Sequence, residues 1–266
     1  MFPSGSVRFH DEGYSDPKYA RRFPMRIAIV SDIHGNWTAL EAVVGDMRTM
    51  APDVVLHGGD LADSGSGPVE VVDRVRDLGW AGVLGNTDEM LIRPEALERF
   101  AGQSKAPVAL WERVREIAGA TRAALGEERL AWMRLLPLEV RLPDLALVHA
   151  QPGDCWRALA ADAPDADLER IYGGLGAPVA AYGHTHVPGI RKLSVAGARL
   201  VVNTGSVGMP YDGDPRASYL LLEDGKASIR RVEYDVEREF ERLAACGLPG
   251  AAWMAKTLRA RGPTLP

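Results

Sequence analysis

Six histidines occur in the chain, and four of them stand where a run of apolar residues gives way to polar ones. The pattern is sharpest in Tyr182-Gly183-His184-Thr185-His186-Val187-Pro188, which follows the apolar run Val179-Ala180-Ala181-Tyr182. In extended backbone, residues two apart project to the same side. His184 and His186 are therefore expected to aim one way from a strand end, with Thr185 only setting the spacing. Neutral imidazole is a ligand for zinc, iron, nickel and copper. Two solvent-facing loop histidines would be spelled identically, so the pair alone does not choose between metal binding and an exposed loop.

Four further segments share the design: Asp32 with His34, Asp60, Asn86 with Asp88, and His149, each at or just past the end of an apolar run. In open α/β sheets, ligands collect outside the carboxyl ends of strands. Taken singly, Asp and Asn are ordinary turn residues and a lone histidine is usually a hydrogen-bonded polar group. Taken together, the five segments describe a site. Two divalent ions about 3.5–4 Å apart need a carboxylate between them, with imidazole and oxygen ligands to complete each shell. Asp60 is the natural bridge, because Gly58-Gly59 before it permits close backbone approach. Carboxylate, amide and imidazole together suit manganese, iron, nickel or zinc better than calcium, which takes all-oxygen shells. The lack of cysteine among these residues argues against a closed structural zinc site.

The elements that must position these residues follow from periodicity. Ile27-Ala28-Ile29-Val30 reads as a buried strand leading into Ser31-Asp32-Ile33-His34-Gly35. Asn36 can cap a helix whose apolar residues are Trp37, Leu40, Val43, Val44 and Met47. Val54-Val55-Leu56 is a second strand. Pro68 is a good first residue for a second helix with Val69, Val72, Val75 and Leu78 inward. Ala81-Gly82-Val83-Leu84 is a third strand, ending in Gly85-Asn86-Thr87-Asp88. Strands alternating with helices at this interval indicate βαβ units and a largely parallel sheet. Residues 94–136 read as a purely helical insertion able to overhang a site, with Val108, Trp111, Val114 and Ile117 on one face. Strands are expected again over 138–141, 145–148 (ending at His149), 179–182, 189–193, 199–202, 217–222 and 227–232, with Asp224-Gly225 a hairpin turn. The tail from Asp235 reads as helical, broken near Pro249. The expected fold is α/β, two mixed sheets with helices outside, in one domain over 25–266.

Composition narrows the function classes. A chain of 266 residues with 46% hydrophobic and 25% charged residues is long enough for a sizeable core. Its net charge of −5 gives no basic surface for nucleic acid. The two cysteines, Cys155 and Cys246, have neither metal nor redox spacing, which fits a reducing, cytoplasmic setting. No apolar run approaches transmembrane length. Residues 1–24 carry charges and turn formers but no apolar segment, and read as a mobile extension rather than a secretory signal.

The motif order Asp32-Ile33-His34, Gly59-Asp60, Gly85-Asn86-Thr87-Asp88, Val148-His149 and Gly183-His184-Thr185-His186 resembles the calcineurin-like metallophosphoesterase superfamily, from Met25 to about Val232. Short spacings and the turn Asn203-Thr204-Gly205-Ser206-Val207-Gly208 are similar to its small bacterial and archaeal phosphodiesterase branch. The resemblance implies a four-layer α/β/β/α sandwich. It also implies a dimetal phosphohydrolase, foremost a phosphodiesterase, that attacks phosphorus with a metal-bridging hydroxide. Carried over by position, one metal takes Asp32, His34, Asp60 and His186, and the other takes Asp60, Asn86, His149 and His184. Asp60 and Asn86 are the residues expected to act in catalysis, and the substrate implied is a small phosphodiester or nucleotide-like molecule. A phosphomonoesterase, a phosphoanhydride hydrolase, hydrolysis of a non-phosphate ester or amide, and a non-catalytic scaffold like the retromer subunit of the superfamily are the alternatives. Association into a homo-oligomer stays open.

One position departs from the pattern. Many members carry histidine after the asparagine, where this chain has Thr87. Threonine cannot supply a proton near neutral pH, and a missing general acid costs ~10²–10⁴-fold in rate, most for poor leaving groups. Thr87 therefore favours aryl or nucleotide diesters or phosphoanhydrides over simple alkyl esters. Asp88 reads as a turn residue that supports the ligands. Asn203 with Gly205-Ser206 reads equally well as site wall or tight turn. His57 is expected to pack or to support the site, and His10 to be exposed. Arg230, Arg231, Lys256, Arg259 and Arg261 are expected on solvated faces.

Overall fold

Runs of four apolar residues fold here as strands buried on both faces. In the computed structural model, which describes residues 25–193 and 198–266, Ile27–Val30 (β1), Val54–His57 (β2) and Ala81–Gly82 (β3) pair in parallel. The hairpin Ala217–Glu223 (β9) and Lys226–Val232 (β10) adds two antiparallel strands on the other side of β1. Asp224 and Gly225 turn this hairpin with φ of 50° and 73°, as a tight hairpin turn demands. The second sheet runs β4-β5-β6-β8-β7, from Glu139–Leu142 (β4), Leu145–Val148 (β5), Val179–Tyr182 (β6), Gly189–Lys192 (β7) and Leu200–Asn203 (β8). Strands β5, β6 and β8 are parallel, and β4 and β7 close the edges antiparallel. The extension expected over 1–24, His10 included, lies outside the described residues.

Strand alternation decides the layers. Ile27 and Ile29 pack with Leu147, Ala181 and Val202 between the sheets, while Ala28 and Val30 face the helices. Trp37–Met50 (α1) buries Ala39, Leu40, Val43, Val44 and Met47 there, and its cap residue Asn36 accepts a hydrogen bond from the Ala39 amide. Pro68–Asp77 (α2) begins at its proline but buries Val71, Val72 and Val75, leaving Val69 and Leu78 half-buried. On the outer face of the second sheet, Ala146, Val148, Ala180, Tyr182 and Val201 are covered by Leu168 and Tyr172 of Asp165–Tyr172 (α6). The result is the α/β/β/α sandwich.

Two sequence expectations are corrected here. The third strand pairs over only Ala81–Gly82, because Val83 still donates to the His57 carbonyl while Leu84 donates to Pro137 on the far side. The chain changes partners before a longer ladder can form. In the helical stretch, Asn86–Ile92 (α3) is followed by Pro94–Gln103 (α4) and Val108–Met133 (α5), which bends at Gly126, where φ is 69°. Val108 does not share the buried face with Ile117: it is 72% exposed, being the first residue of α5, beyond the reach of α2 and α3. The tail forms Val236–Ala245 (α7) and Ala251–Ala260 (α8), separated at Pro249. Among the described residues, no helix is long and apolar enough to cross a membrane.

Candidate metal centre

Five chain reversals at the C-terminal ends of β1, β2, β3, β5 and β6 carry the polar residues to one place. Nine described non-glycine residues have positive φ, and five of them are Asp32, His34, Asp60, His184 and His186. Asp and His tolerate this left-handed region better than most side chains. Such residues cluster where surrounding structure compels them, commonly at functional sites. Extended backbone is therefore not what orients the histidine pair. With φ of 65° at His184 and 58° at His186, the two side chains part company. His184 turns toward Asn86 and His149, and His186 toward Asp32 and His34.

All seven sequence-predicted ligands converge. On one side, His186 Nε2 lies 3.3 Å from Asp32 Oδ1 and 3.2 Å from His34 Nε2. On the other, Asn86 Oδ1 lies 3.0 Å from His149 Nε2 and 2.9 Å from His184 Nδ1. Asp60 stands between the groups, its Oδ2 being 3.7 Å from His34 Nε2 and 3.6 Å from His149 Nε2. Asp32, His34 and His186 offer ligand atoms all within 4.8 Å of one another, as do Asp32, Asp60 and His149.

Hydrogen bonds at the rear of the rings decide what faces inward. Nδ1 of His34 meets the Asp63 carbonyl at 3.2 Å, Nδ1 of His149 the Gly58 carbonyl at 2.6 Å, and Nδ1 of His186 the Met209 carbonyl at 2.5 Å. A carbonyl only accepts, so Nδ1 of each ring carries a proton and Nε2 is the atom turned into the cluster, where it offers a lone pair in the ligand form of the ring. Burial, with the neighbouring His186, pulls the pKa of His34 down to about 4. Burial, with His149, does the same to His184. Both rings are neutral at pH 7. Burial also opposes charge on His149, yet the carboxylates of Asp60 and Asp32 raise it above the ordinary value. Buried carboxylates and inward lone pairs call for positive charge at their centre. Two divalent cations fit the donor set.

Supporting residues were harder to read from sequence. Asp88 is fully buried, and its carboxylate accepts from the amides of Asp60, Leu61 and Gly85 at 2.8, 2.9 and 3.1 Å. Burial and the Asp60 charge raise its pKa, while the Leu61 and Gly85 amides oppose that shift. The Thr87 amide donates to Asp60 Oδ1 at 2.9 Å, and its hydroxyl has no partner. Asn203 donates to the Gly183 carbonyl and to Thr185 Oγ1, each at 2.8 Å, so Thr185 is a tie for the histidine loop and not merely a spacer. Ser206 Oγ donates to the Asp32 carbonyl at 2.7 Å. The Asn203–Gly208 turn is thus a brace behind the ligands. Tyr211, absent from the sequence reading, stacks on His186 at 4.3 Å. Nothing in its local sequence marks it, because its contact spans 25 residues of chain. His57 points elsewhere, buried against Trp132.

A two-sheet sandwich with an acid–imidazole cluster around one shared carboxylate defines a metal-dependent hydrolase. Residues 25–226 match the calcineurin-like phosphoesterase superfamily domain, and the chain belongs to that superfamily of metal-dependent phosphoesterases. It is 31% identical over 252 residues to an uncharacterized protein of Methanocaldococcus jannaschii, covering 87% of this chain and 96% of the relative. A metallophosphoesterase from Sphaerobacter thermophilus has a similar structure, with TM-score 0.73 and 28% identity over 90% of this chain and 100% of that one. A symmetrical bis(5'-nucleosyl)-tetraphosphatase of Methylococcus capsulatus is 31% identical over 150 residues, 55% of this chain and 50% of that protein.

Proposed function

We propose that the chain hydrolyses phosphodiesters or nucleotide phosphoanhydrides, holding one divalent cation with Asp32, His34, Asp60 and His186 and a second with Asp60, Asn86, His149 and His184. The observation that carries this reading is Asp60 Oδ2, nearly equidistant from His34 Nε2 and His149 Nε2. When bound, the two cations supply an activated water and neutralise the non-bridging phosphoryl oxygens. Mixed carboxylate, amide and imidazole donors support manganese, iron, nickel or zinc as the occupants.

The side chains have separate tasks in this reading. Asp60 holds the spacing of the centre, while the Asp88 carboxylate accepts its backbone amide and the Thr87 amide donates to its carboxylate. Asn86 reaches into the centre from the start of α3, and its amide can also contact a phosphoryl oxygen. Thr87 places a neutral hydroxyl where a proton donor would help a poor leaving group depart, which supports substrates that leave without help. The tetraphosphatase relative of Methylococcus capsulatus supports a phosphoanhydride among them. Isolated Cys155 and Cys246 support a cytoplasmic setting.

The test combines metal analysis with hydrolysis of an aryl phosphodiester and an aryl phosphomonoester under added manganese. Two metals per chain and faster diester turnover are expected, with turnover lost in Asp60→Asn. A protein that takes up no metal and turns over neither ester overturns the reading.

A further inference from the structure

Beside the metal centre, α3, α4 and the loop after β5 border an open cavity of about 140 Å³ that the chemistry above does not use. Sites that take a whole drug-sized ligand measure about 300–1,000 Å³, so this one suits a single portion of a substrate. Two of the segments that border it, α3 and this loop, also build the centre. Glu89, in its lining, sits three residues after Asn86 on α3, and residues at that spacing share a helix face about one turn apart. Asp154 and Trp156 follow His149 on the same loop.

The lining has an aromatic wall built of two rings inclined to each other. Phe100 and Trp156 rings lie 4.8 Å apart at 31°, and the Arg157 guanidinium sits 5.6 Å from the Phe100 ring centre. The acids are already engaged. Glu89 accepts from the Trp156 indole at 2.6 Å and pairs with Arg93 at 3.2 Å. Asp154 accepts from the Trp156 amide at 2.8 Å and pairs with Arg157 at 3.0 Å. Arg99, also in the lining, is exposed and has no carboxylate partner among the described residues. The uncommitted charge is therefore positive. An aromatic wall under a spare guanidinium recognises an anionic ligand that carries a flat π-system.

We propose that this cavity is a subsite for the nucleobase of a nucleotide substrate, with Phe100 as the stacking face and Arg99 as the free cation at its rim. It rests on the phosphohydrolase reading and gives that activity its substrate class. Engaged acids hold the wall rigid, so that the aromatic face is in place before the ligand arrives. An uncharged hydrocarbon would use the wall but not Arg99, and inorganic phosphate would use Arg99 but not the wall.

Calorimetric titration of the metal-loaded protein with AMP and with ribose 5-phosphate tests the subsite, because the two differ only in the base. Wild type is expected to bind AMP about tenfold tighter or more, the range that base stacking on an aromatic side chain provides. Phe100→Ala should erase that preference while leaving the ribose 5-phosphate affinity unchanged. Arg99→Ala, at an exposed side chain that the fold does not need, should weaken both ligands alike, because both carry the phosphate. Equal binding of the two ligands by wild type, or a preference untouched in Phe100→Ala, overturns the subsite, and unchanged affinity for both ligands in Arg99→Ala overturns the role of Arg99. Metal content and aryl-diester turnover measured on the same protein separate that outcome from failure of the phosphohydrolase reading.

Discussion

At the scale of single residues, two positions next to Asp60 carry the testable chemistry. Thr87 occupies the second position of α3 with an unpartnered hydroxyl. Thr87→His is expected to raise turnover of alkyl diesters by about tenfold or more, and to add an alkaline limb to the pH–rate profile where the new donor loses its proton, while aryl diesters change little. Unchanged rates and an unchanged profile would show that the leaving group needs no proton here. Asp88 touches no substrate in this reading but receives three backbone amides around the bridging carboxylate. Asp88→Asn should cost about 10–100-fold in metal affinity or activity, the usual effect of removing a ligand's support. Competitive metal titration, with circular dichroism as a folding control, measures it. The role of Asp88 was only half visible in sequence, since a carboxylate after Asn86-Thr87 is equally good turn chemistry.

At the scale of elements, the site depends on how closely three loops approach. Gly59 has φ of 87°, and a Cβ on it would sit 2.5 Å from the Gly85 amide nitrogen. A Cβ on Gly85 would strike Asp60 Oδ1 and its backbone nitrogen. Gly85→Ala must therefore push β2's loop away from α3, and overpacking of this kind costs about 1–3 kcal/mol. Urea unfolding should show that loss, and bound metal should fall below the wild-type stoichiometry. Retention of both metals at wild-type stability would mean that the loops have slack. Strand and helix positions were legible because apolar runs and caps are local signals: Ile27–Val30, the Asn36 cap, the Pro68 start and the Asp224-Gly225 turn all fall where periodicity and turn chemistry put them. The short β3 was not legible, because its length depends on Leu84 finding Pro137 in the loop before β4.

At the scale of the whole molecule, a buried histidine outside the centre links stability to pH. His57 is fully buried, neither ring nitrogen has a hydrogen-bond partner, and burial lowers its pKa from 6.5 to about 3. An unfolded chain takes up this proton near its ordinary value, whereas the folded one resists it until about pH 3. The unfolded state thus binds more protons throughout that window, and stability falls as pH drops through it. His57→Leu, which removes the orphaned polar atoms, should flatten the dependence between pH 7 and pH 4.5 and cost little at pH 7. Denaturant midpoints at the two pH values give the comparison; parallel losses in both proteins would assign the acid sensitivity to other groups.

The sequence by itself determined which residues can bind metal, in what order they come, and that each ends an apolar strand. Those are properties of residue type and near-neighbour spacing. The family resemblance implied how they divide into two sets, and only the tertiary structure shows what turns them apart. His184 and His186, two residues apart and expected to aim one way, serve opposite sides because left-handed backbone at both turns them apart. That conformation is imposed by Asp32 accepting the His184 amide and by Asn203 holding Gly183 and Thr185. These partners lie far away in the chain, so no local pattern encodes them. The sandwich brings them together, and with them the single carboxylate oxygen of Asp60 between two sets of imidazoles.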